Sequence, residues 1–462
     1  MKRAKVVHEN LNAGGGSERL AFATIELLNE MNFVVDLATL QKPNLKEIEK
    51  NFGNDTSHLW KFNQIEILDM YSILDIESHK GNKIQNKNIK DIDKTNSKVN
   101  SSLNDENYDL IINTHGDIFS YFKVNREYNN KNYVREKKEE VSHNNMKFPS
   151  STIKITYCHH PIVPQLIKKR DYLFLEKLFD SFNEFSQKIK DAIALKVFEN
   201  YNQMMNNTFI LTNSNFSKQA IEKIYGNDKV KTTIVYPPVD IDKFKIVYNC
   251  SYNKNINNLT EKDPNSIIVI SRINSKKSIE NVIEIGKNLK EKENINYFNM
   301  TIVGNTNSDN QDYLEKLENL IAKYDLKDNI KIKTDVPFEE LQKLVQRTSI
   351  YIHPTINEPF GISIVEAMSA GLIPIAPDRG GNTEFVPLNY QYQSIANATE
   401  IIAKIIKNKS VNNDELENER KNISNLTNNF SKKKYKENLR KVIESLFLER
   451  EQKILEIQKI HI

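Results

Sequence analysis

Apolar and polar positions recur along this chain in one repeating order. "AKVVHE" (Ala4–Glu9) is a short apolar run of the buried-strand type. "NLNAGGG" follows as a loop, and "SERLAFATIELLNEM" then carries apolar residues at helical spacing, with Ser17 as the expected N-cap. "NFVVDLATL" is a second strand. Strand, Gly-rich loop, helix, strand is the opening of an α/β fold with a parallel sheet. "YDLIINTHG" and "TIKITYCHHP" repeat the strand-then-loop pattern. A long helical stretch rich in aromatic and basic residues is expected over about 164–206. "TFILTNSNFSKQAIEKIYG" reads as strand, turn, helix, and "KVKTTIVYPPVD" as a strand ended by two prolines.

The pattern then breaks and restarts. "NCSYNKNINNLTEKDPNS" (Asn249–Ser266) is a polar linker. After it come "SIIVISRI", a helix over Ser278–Lys290, "YFNMTIVGN", a helix over Asp312–Tyr324, "NIKIKTDV", a helix over Phe338–Arg347 and "SIYIHPT". Two α/β series predict two Rossmann-like domains, 1–240 and 266–430, facing a cleft, with a last helix over 431–462. Segments near 78–107 and 128–150 are dominated by polar residues and read as insertions that bury little. Ligands of open parallel sheets bind outside the carboxyl ends of the strands. The unusual polar clusters all fall at such ends: Gly14–Gly16, His115-Gly116, His159-His160, Arg272, Gly304-Asn305 and the Glu358 turn.

Composition narrows the function classes. A chain of 462 residues is too long for one core, and 39% hydrophobic residues suffices for two. The net charge is +4 from 65 basic and 61 acidic residues, without the clustered basic excess of a nucleic-acid binder. Cys158 and Cys250 are the only cysteines, so neither a disulfide scaffold nor a thiolate metal site is indicated. The N-terminus does not read as a signal peptide, and no apolar run reaches the roughly 18 residues of a membrane span. A cytoplasmic protein is expected. The sequon Asn215-Phe216-Ser217 is ascribed to chance in an Asn-rich chain.

The chemistry concentrates in "NEPFGISIVEAMSAGLIPIAPDRGGN". "NEPFG" follows a strand and "ISIVEAMSAG" is a helix closed by Gly371. The N–H groups of Phe360, Gly361 and Ile362 therefore sit at a helix N-terminus, a ready site for a phosphate. Glu366 is one turn into that helix, on the face of Ile362, where a carboxylate can accept a ribose diol. Glu358 lies nearer the strand tip, where a sugar would sit. The plainer alternative makes Glu358 a solvated loop charge and Glu366 a surface helix charge.

This stretch resembles the Glu-x7-Glu signature of the retaining glycosyltransferases of family four, which have the GT-B fold. "SRINSKKSIE" resembles that family's "GRL..EKG" segment, with Ser278 in place of the usual glycine. "GNTEFV" resembles its "GG-x-x-E" turn, and "IVYPPVD" its interdomain strand. "HENLNAGGGSERL" and "TYCHHP" resemble the branch of α-1,2-mannosyltransferases acting on dolichol-linked oligosaccharides. The resemblance implies that Arg272 and Lys277 neutralise the donor diphosphate, and that Gly15 and Gly16 approach it through backbone N–H groups. It also implies that Glu366 binds the ribose, that Glu358 touches the reacting sugar, and that Gly304 and Val336 border the base. The last helix returns to the N-terminal domain in this fold. His159 matches the histidine of an "H-x-P" segment near the reaction centre; its alternatives are a hydrogen-bonded core histidine and an exchange of roles with His160. Implied partners are a nucleotide-sugar donor, GDP-mannose first and UDP-sugars second, and a glycan or lipid-linked acceptor. No nucleic acid, metal or other cofactor is expected.

Other classes compete. A nicotinamide enzyme would use the first Gly-rich loop, with Asp36 as a ribose ligand, but "AGGGSER" does not fit G-x-G-x-x-G and Asp36 reads more simply as a strand-end charge. A metal-dependent transferase would use Asp91-Ile92-Asp93 or Asp240-Ile241-Asp242, both far from the expected strand tips. A non-catalytic binding protein would keep the fold, and a donor-hydrolysis assay separates it from an enzyme. The basic, aromatic stretch over 164–198 either contacts a membrane peripherally as an amphipathic helix or covers its own core.

Overall fold

A computed structural model of the chain describes residues 1–52, 61–68, 70, 107–116, 152–179, 182–226, 230–245, 262–306, 310–408 and 413–460. The expected insertions near 78–107 and 128–150, apart from Asn107, lie outside the described residues, as do Asp91–Asp93 and most of the linker. The chain forms two compact units. One comprises Met1–Thr212, Lys218–Val235 and Lys436–Ile462, the other Asn213–Ser217 and Tyr236–Tyr435.

The first unit is built on a parallel sheet of seven strands: β1 (Arg3–Val7), β2 (Val34–Thr39), β3 (Gln64–Ile67), β4 (Leu110–Asn113), β5 (Ile153–Cys158), β6 (Phe209–Thr212) and β7 (Thr232–Ile234), ordered β3-β2-β1-β4-β5-β6-β7. β4 is buried along its whole length, as strands covered on both faces are. The helix Gly16–Glu30 buries Leu20, Ala21, Ile25, Leu27 and Leu28. Each fully buried leucine or isoleucine contributes about 1.5–3 kcal/mol. Ser17 is not the cap of this helix. Gly15 is, and the Glu18 carboxylate reaches back to accept its N–H at 2.7 Å.

The long helical stretch expected over about 164–206 is interrupted. Helices Val163–Lys169 and Gln187–Asn207 flank two short 3-10 turns, and the first helix stops at Arg170, whose φ is 54°. Between them Phe174, Leu175, Leu178, Phe179 and Phe182 are buried, packed in one cluster with Ile193 and Val197 of the second helix. The aromatic residues fold inward locally, so the apolar face covers its own core. Leu173 and Leu195 are the exposed exceptions.

The last helix, Lys432–Ile460, enters this unit from Lys436 onward. Lys436 Nζ lies 2.8 Å from Glu26 and 2.5 Å from Glu30 of the first helix, and Phe447 packs near Phe33.

The second unit carries β8 (Asp263–Ile270), β9 (Asn299–Gly304), β10 (Ile330–Thr334), β11 (Thr348–Ile352), β12 (Ile373–Pro377) and β13 (Gln391–Tyr392) in the order β10-β9-β8-β11-β12-β13, all parallel. Relabelled from its first strand this is 3-2-1-4-5-6, the doubly wound order. Its switch point lies between β8 and β11, where a ligand crevice is expected outside the carboxyl ends. In the first unit the corresponding switch lies between β1 and β4.

Candidate active site

The carboxyl end of β11 continues through His353 into the turn that holds Glu358. The carboxyl end of β8 continues through Arg272 into a 3-10 turn that ends at Lys277. The neighbouring strands bring these loops together, and Lys277 Nζ lies 2.7 Å from Glu358 Oε2. Both side chains are only about one-fifth exposed, 20% and 19%. His353 Nε2 stands 3.5 Å from the same carboxylate oxygen, a little beyond hydrogen-bond reach. Burial alone would push the Glu358 carboxyl up. His353 and Lys277 more than reverse that and hold it well below the ordinary carboxylate range. Glu358 is thus a structured carboxylate; it is not a solvated loop charge.

Behind His353 lies a buried hydroxyl chain. Tyr351 Oη is 3.2 Å from His353 Nδ1 and 2.8 Å from Ser363 Oγ. Tyr392 donates to the His353 carbonyl at 2.9 Å. Burial pushes the Tyr351 hydroxyl well up, so it stays a neutral phenol.

The second glycine turn locks the Glu358 loop. The Gly381 N–H donates to the Glu358 carbonyl at 2.8 Å, and Glu358 bridges to Gly380 like a strand pair. The backbones are so close that a Cβ on Gly381 would sit 2.0 Å from the Pro359 carbonyl oxygen. Phe360 anchors the other side of the loop in a buried aromatic group with Tyr236, Phe385 and Phe430. The N–H groups of Phe360, Gly361 and Ile362 precede or open the helix Ile362–Ser369 and have no hydrogen-bond partner among the described residues. Such N–H groups at a helix N-terminus can donate to an anion.

Glu366 is buried, 6% exposed, which excludes the surface-charge reading. Arg272 is exposed at the β8 tip. Gly304 lies at the β9 tip, where a Cβ would fall 1.8 Å from the Ser271 carbonyl oxygen, so its glycine is demanded by backbone packing. Val336 is half-buried against the core of this unit. Ser278 has a left-handed φ of 52°, which accounts for a glycine being usual there in the resembling segment.

The remaining sequence candidates, Asp240 apart, belong to the first unit. The Gly15 N–H, which the resemblance gave to a phosphate, is donated to Glu18, so that carboxylate already faces the positive end of the helix. His159 Nε2 is 3.3 Å from the Thr114 carbonyl and its ring lies 5.0 Å from that of Tyr157. His159 is part-buried, so it is hydrogen-bonded here without being a core histidine. Asp36 is not at a strand end. It is the third residue of β2, buried, and accepts from Arg3 at 2.7 Å, Asn63 at 3.0 Å and Tyr108 at 2.8 Å, which leaves it no role as a ribose ligand. Asp240 pairs with Lys243 beside a short helix.

The sequence reading assigns no task to three groups. His353 is one, although a histidine five positions before the key glutamate is a usable signal. Glu384 binds the N–H of Asn215 at 2.6 Å and the Tyr236 hydroxyl at 2.9 Å. His8, Glu18 and His115 place three potential ligand atoms within 4.8 Å of one another at the β1–β4 switch. A small cation suits that donor set in kind, but the Glu18 oxygens already accept from Gly15, at 2.7 Å, and from Ser17, at 2.8 Å.

Residues 252–427 match the family described as glycosyl transferases group 1. This segment belongs to that family. The group 1 segment contains every member of the Lys277–Glu358–His353 cluster. Among curated relatives, the alpha-1,3/1,6-mannosyltransferase ALG2 of Kluyveromyces lactis is 28% identical over 266 residues, 52% of this chain and 48% of that protein. The GDP-Man:Man(3)GlcNAc(2)-PP-Dol alpha-1,2-mannosyltransferase of Xenopus laevis is 32% identical over 154 residues, 33% of this chain and 30% of that protein. The chain spans about half the length, or less, of the curated relatives it matches. Among solved structures, Anabaena Alr3699/HepE in complex with UDP and glucose aligns with a TM-score of 0.59 over 96% of this chain and 100% of that one, at 14% identity. Sucrose-phosphate synthase from Thermosynechococcus elongatus gives 0.57 over 97% and 100%, also at 14%. The fold around the group 1 segment is GT-B, with two Rossmann-like units in one chain.

Proposed function

We propose that this chain is a retaining hexosyltransferase that moves mannose from GDP-mannose to a glycan carried on a lipid. The observation that carries the reading is the Lys277–Glu358 pair at the β8–β11 switch, inside the group 1 segment. The activities that name the mannosyltransferase relatives support the choice of sugar and of acceptor class.

In this reading Arg272 and Lys277 neutralise the diphosphate, together with the N–H groups of Phe360, Gly361 and Ile362. That positive surround stabilises the charge that grows on the leaving oxygen, and no metal is required. Glu366 accepts the ribose diol. Glu358 holds sugar hydroxyls beside C1. The bond from C1 to the diphosphate oxygen breaks, and a bond from C1 to the acceptor oxygen forms on the same face. The acceptor proton passes to the departing phosphate oxygen, so no carboxylate nucleophile is needed. A lipid-carried acceptor would bring the protein to the cytosolic face of a membrane. Among the described residues, no helix is long and apolar enough to cross one.

The test is nucleotide release from a panel of GDP- and UDP-sugars, with and without a short-chain polyprenyl-diphosphate oligosaccharide, repeated in EDTA. Acceptor-stimulated GDP release from GDP-mannose, unchanged by EDTA, is expected. Preference for a UDP-sugar overturns the donor assignment, and failure with every sugar overturns the reading.

A further inference from the structure

We propose that His353 is a positioning residue for Glu358, fixed as the Nε2–H tautomer and held in reserve for the moment when Lys277 turns to another anion. The inference rests on the proposed function for that moment, and on geometry for the rest.

His353 is 3% exposed. Its two nitrogens face different partners. Nε2 looks onto the Glu358 carboxylate at 3.5 Å, and Nδ1 looks onto the Tyr351 hydroxyl at 3.2 Å. A carboxylate offers only lone pairs, so the nitrogen that faces it must carry a proton. If the ring is neutral, Nδ1 is then an acceptor and Tyr351 must donate to it. The second contact of Tyr351, with Ser363 at 2.8 Å, is left to accept the Ser363 hydroxyl proton. Every proton in the chain Ser363–Tyr351–His353–Glu358 therefore points toward the carboxylate. The second hydroxyl acting on this segment, Tyr392, holds the His353 carbonyl and leaves the ring alone.

The spacing assigns the task. At 3.5 Å the Nε2–H is aimed but not engaged, while Lys277 holds the same oxygen at 2.7 Å. When Lys277 moves to the donor diphosphate, Glu358 loses its shorter partner. A buried carboxylate stripped of its only close cation is strongly disfavoured. A shift of a few tenths of an ångström brings Nε2–H into bonding range. Glu358 then stays ionised and correctly oriented beside the sugar throughout the donor-bound state. The charged or titratable groups arrayed about this carboxylate are Lys277 and His353 directly, with Tyr351, Glu366 and Tyr392 behind them.

The experiment compares His353→Leu, His353→Gln and Tyr351→Phe with the parent. His353→Leu is expected to lower kcat by about ten- to a hundredfold with little change in KM, the loss of one hydrogen bond to a charged group. The acid limb of its pH–rate profile should move to higher pH. His353→Gln, which keeps a donor near Nε2, should restore part of the rate, and Tyr351→Phe should cost less than His353→Leu. In parallel, the 13C carboxyl resonance of Glu358, assigned with Glu358→Gln, is titrated in parent and variants without any donor. It should titrate at higher pH in His353→Leu than in the parent, and in between in His353→Gln. That second arm reads the His353–Glu358 coupling even if no nucleotide sugar is turned over, so a wrong donor and a wrong role for His353 give different results. Unchanged Glu358 titration in His353→Leu overturns the inference, as does equal loss of rate in the Leu and Gln variants.

Discussion

Lys277 and Glu358, 81 residues apart in sequence, meet at 2.7 Å where two adjacent parallel strands end. The pair ties together the loops that follow β8 and β11 in the second unit. Because the Glu358 carboxyl is held below its ordinary value of 4.5, its contribution is present in full above that pH and is lost as pH falls toward its lowered value. Lys277→Met should therefore destabilise the protein by about 1–3 kcal/mol at pH 7 and by less in acid. Thermal denaturation of parent and variant at pH 7 and near pH 4 checks this. An equal loss at both values would show that the ion pair is not the cause.

Glu358 and Glu366 should separate kinetically. Glu366→Gln is expected to raise KM more than it lowers kcat, because a ribose contact does not change during reaction. Under the proposed function, where the Glu358 charge lies beside the bond that breaks, Glu358→Gln is expected to lower kcat more than it raises KM. Steady-state kinetics with one donor decides, and a reversed pattern would exchange the two roles.

Gly381→Ala should act on the Glu358 turn without touching any charge. The new methyl would meet the Pro359 carbonyl, so the turn must open. A loss of at least about 2 kcal/mol is expected, in the range of strained backbone substitutions. Denaturant titration reads it directly, and near-parental stability would mean the turn accommodates a side chain.

Ser278→Gly runs the other way. Ser278 sits at a φ of 52°, a region costly for any residue with a Cβ. Relief of that strain, less the entropy glycine adds to the unfolded chain, should leave a gain of about 0.5 kcal/mol, or about 1–2 °C in Tm. A fall in Tm would show that the serine side chain supplies something the backbone argument omits.

Much of this was legible in the sequence, for identifiable reasons. β8, β9 and β11 appear as apolar runs ending in polar residues, because a parallel strand is buried along its length and exposed only at its tips. Helix Phe338–Arg347 was read to the residue, since its apolar spacing is clean and a proline precedes it. The failures share a cause. Ser17 is a good capping residue, but Glu18 out-competes it once burial beside His8 fixes the carboxylate. The aromatic stretch from Phe174 to Phe182 keeps helical spacing, yet Arg170 adopts a left-handed φ and the chain turns inward. The spacing of His353 before Glu358 hints at a shared site, but its contacts with Tyr351 on one nitrogen and Glu358 on the other are visible only in the structure. Each miss depends on a contact between residues that local pattern does not encode.

Segments on either side of Tyr236–Tyr435 belong to one unit. The second unit is therefore an insertion, attached by more than one covalent crossing. A single protease cut between Lys245 and Lys262 would yield two fragments, but the larger part of the last helix would remain bound to the first unit through Lys436, Glu26 and Glu30. The nicked protein should migrate as one species in size-exclusion chromatography and fall apart only in denaturant. Coexpressed halves split at that point would be candidates for reassembly into a working whole.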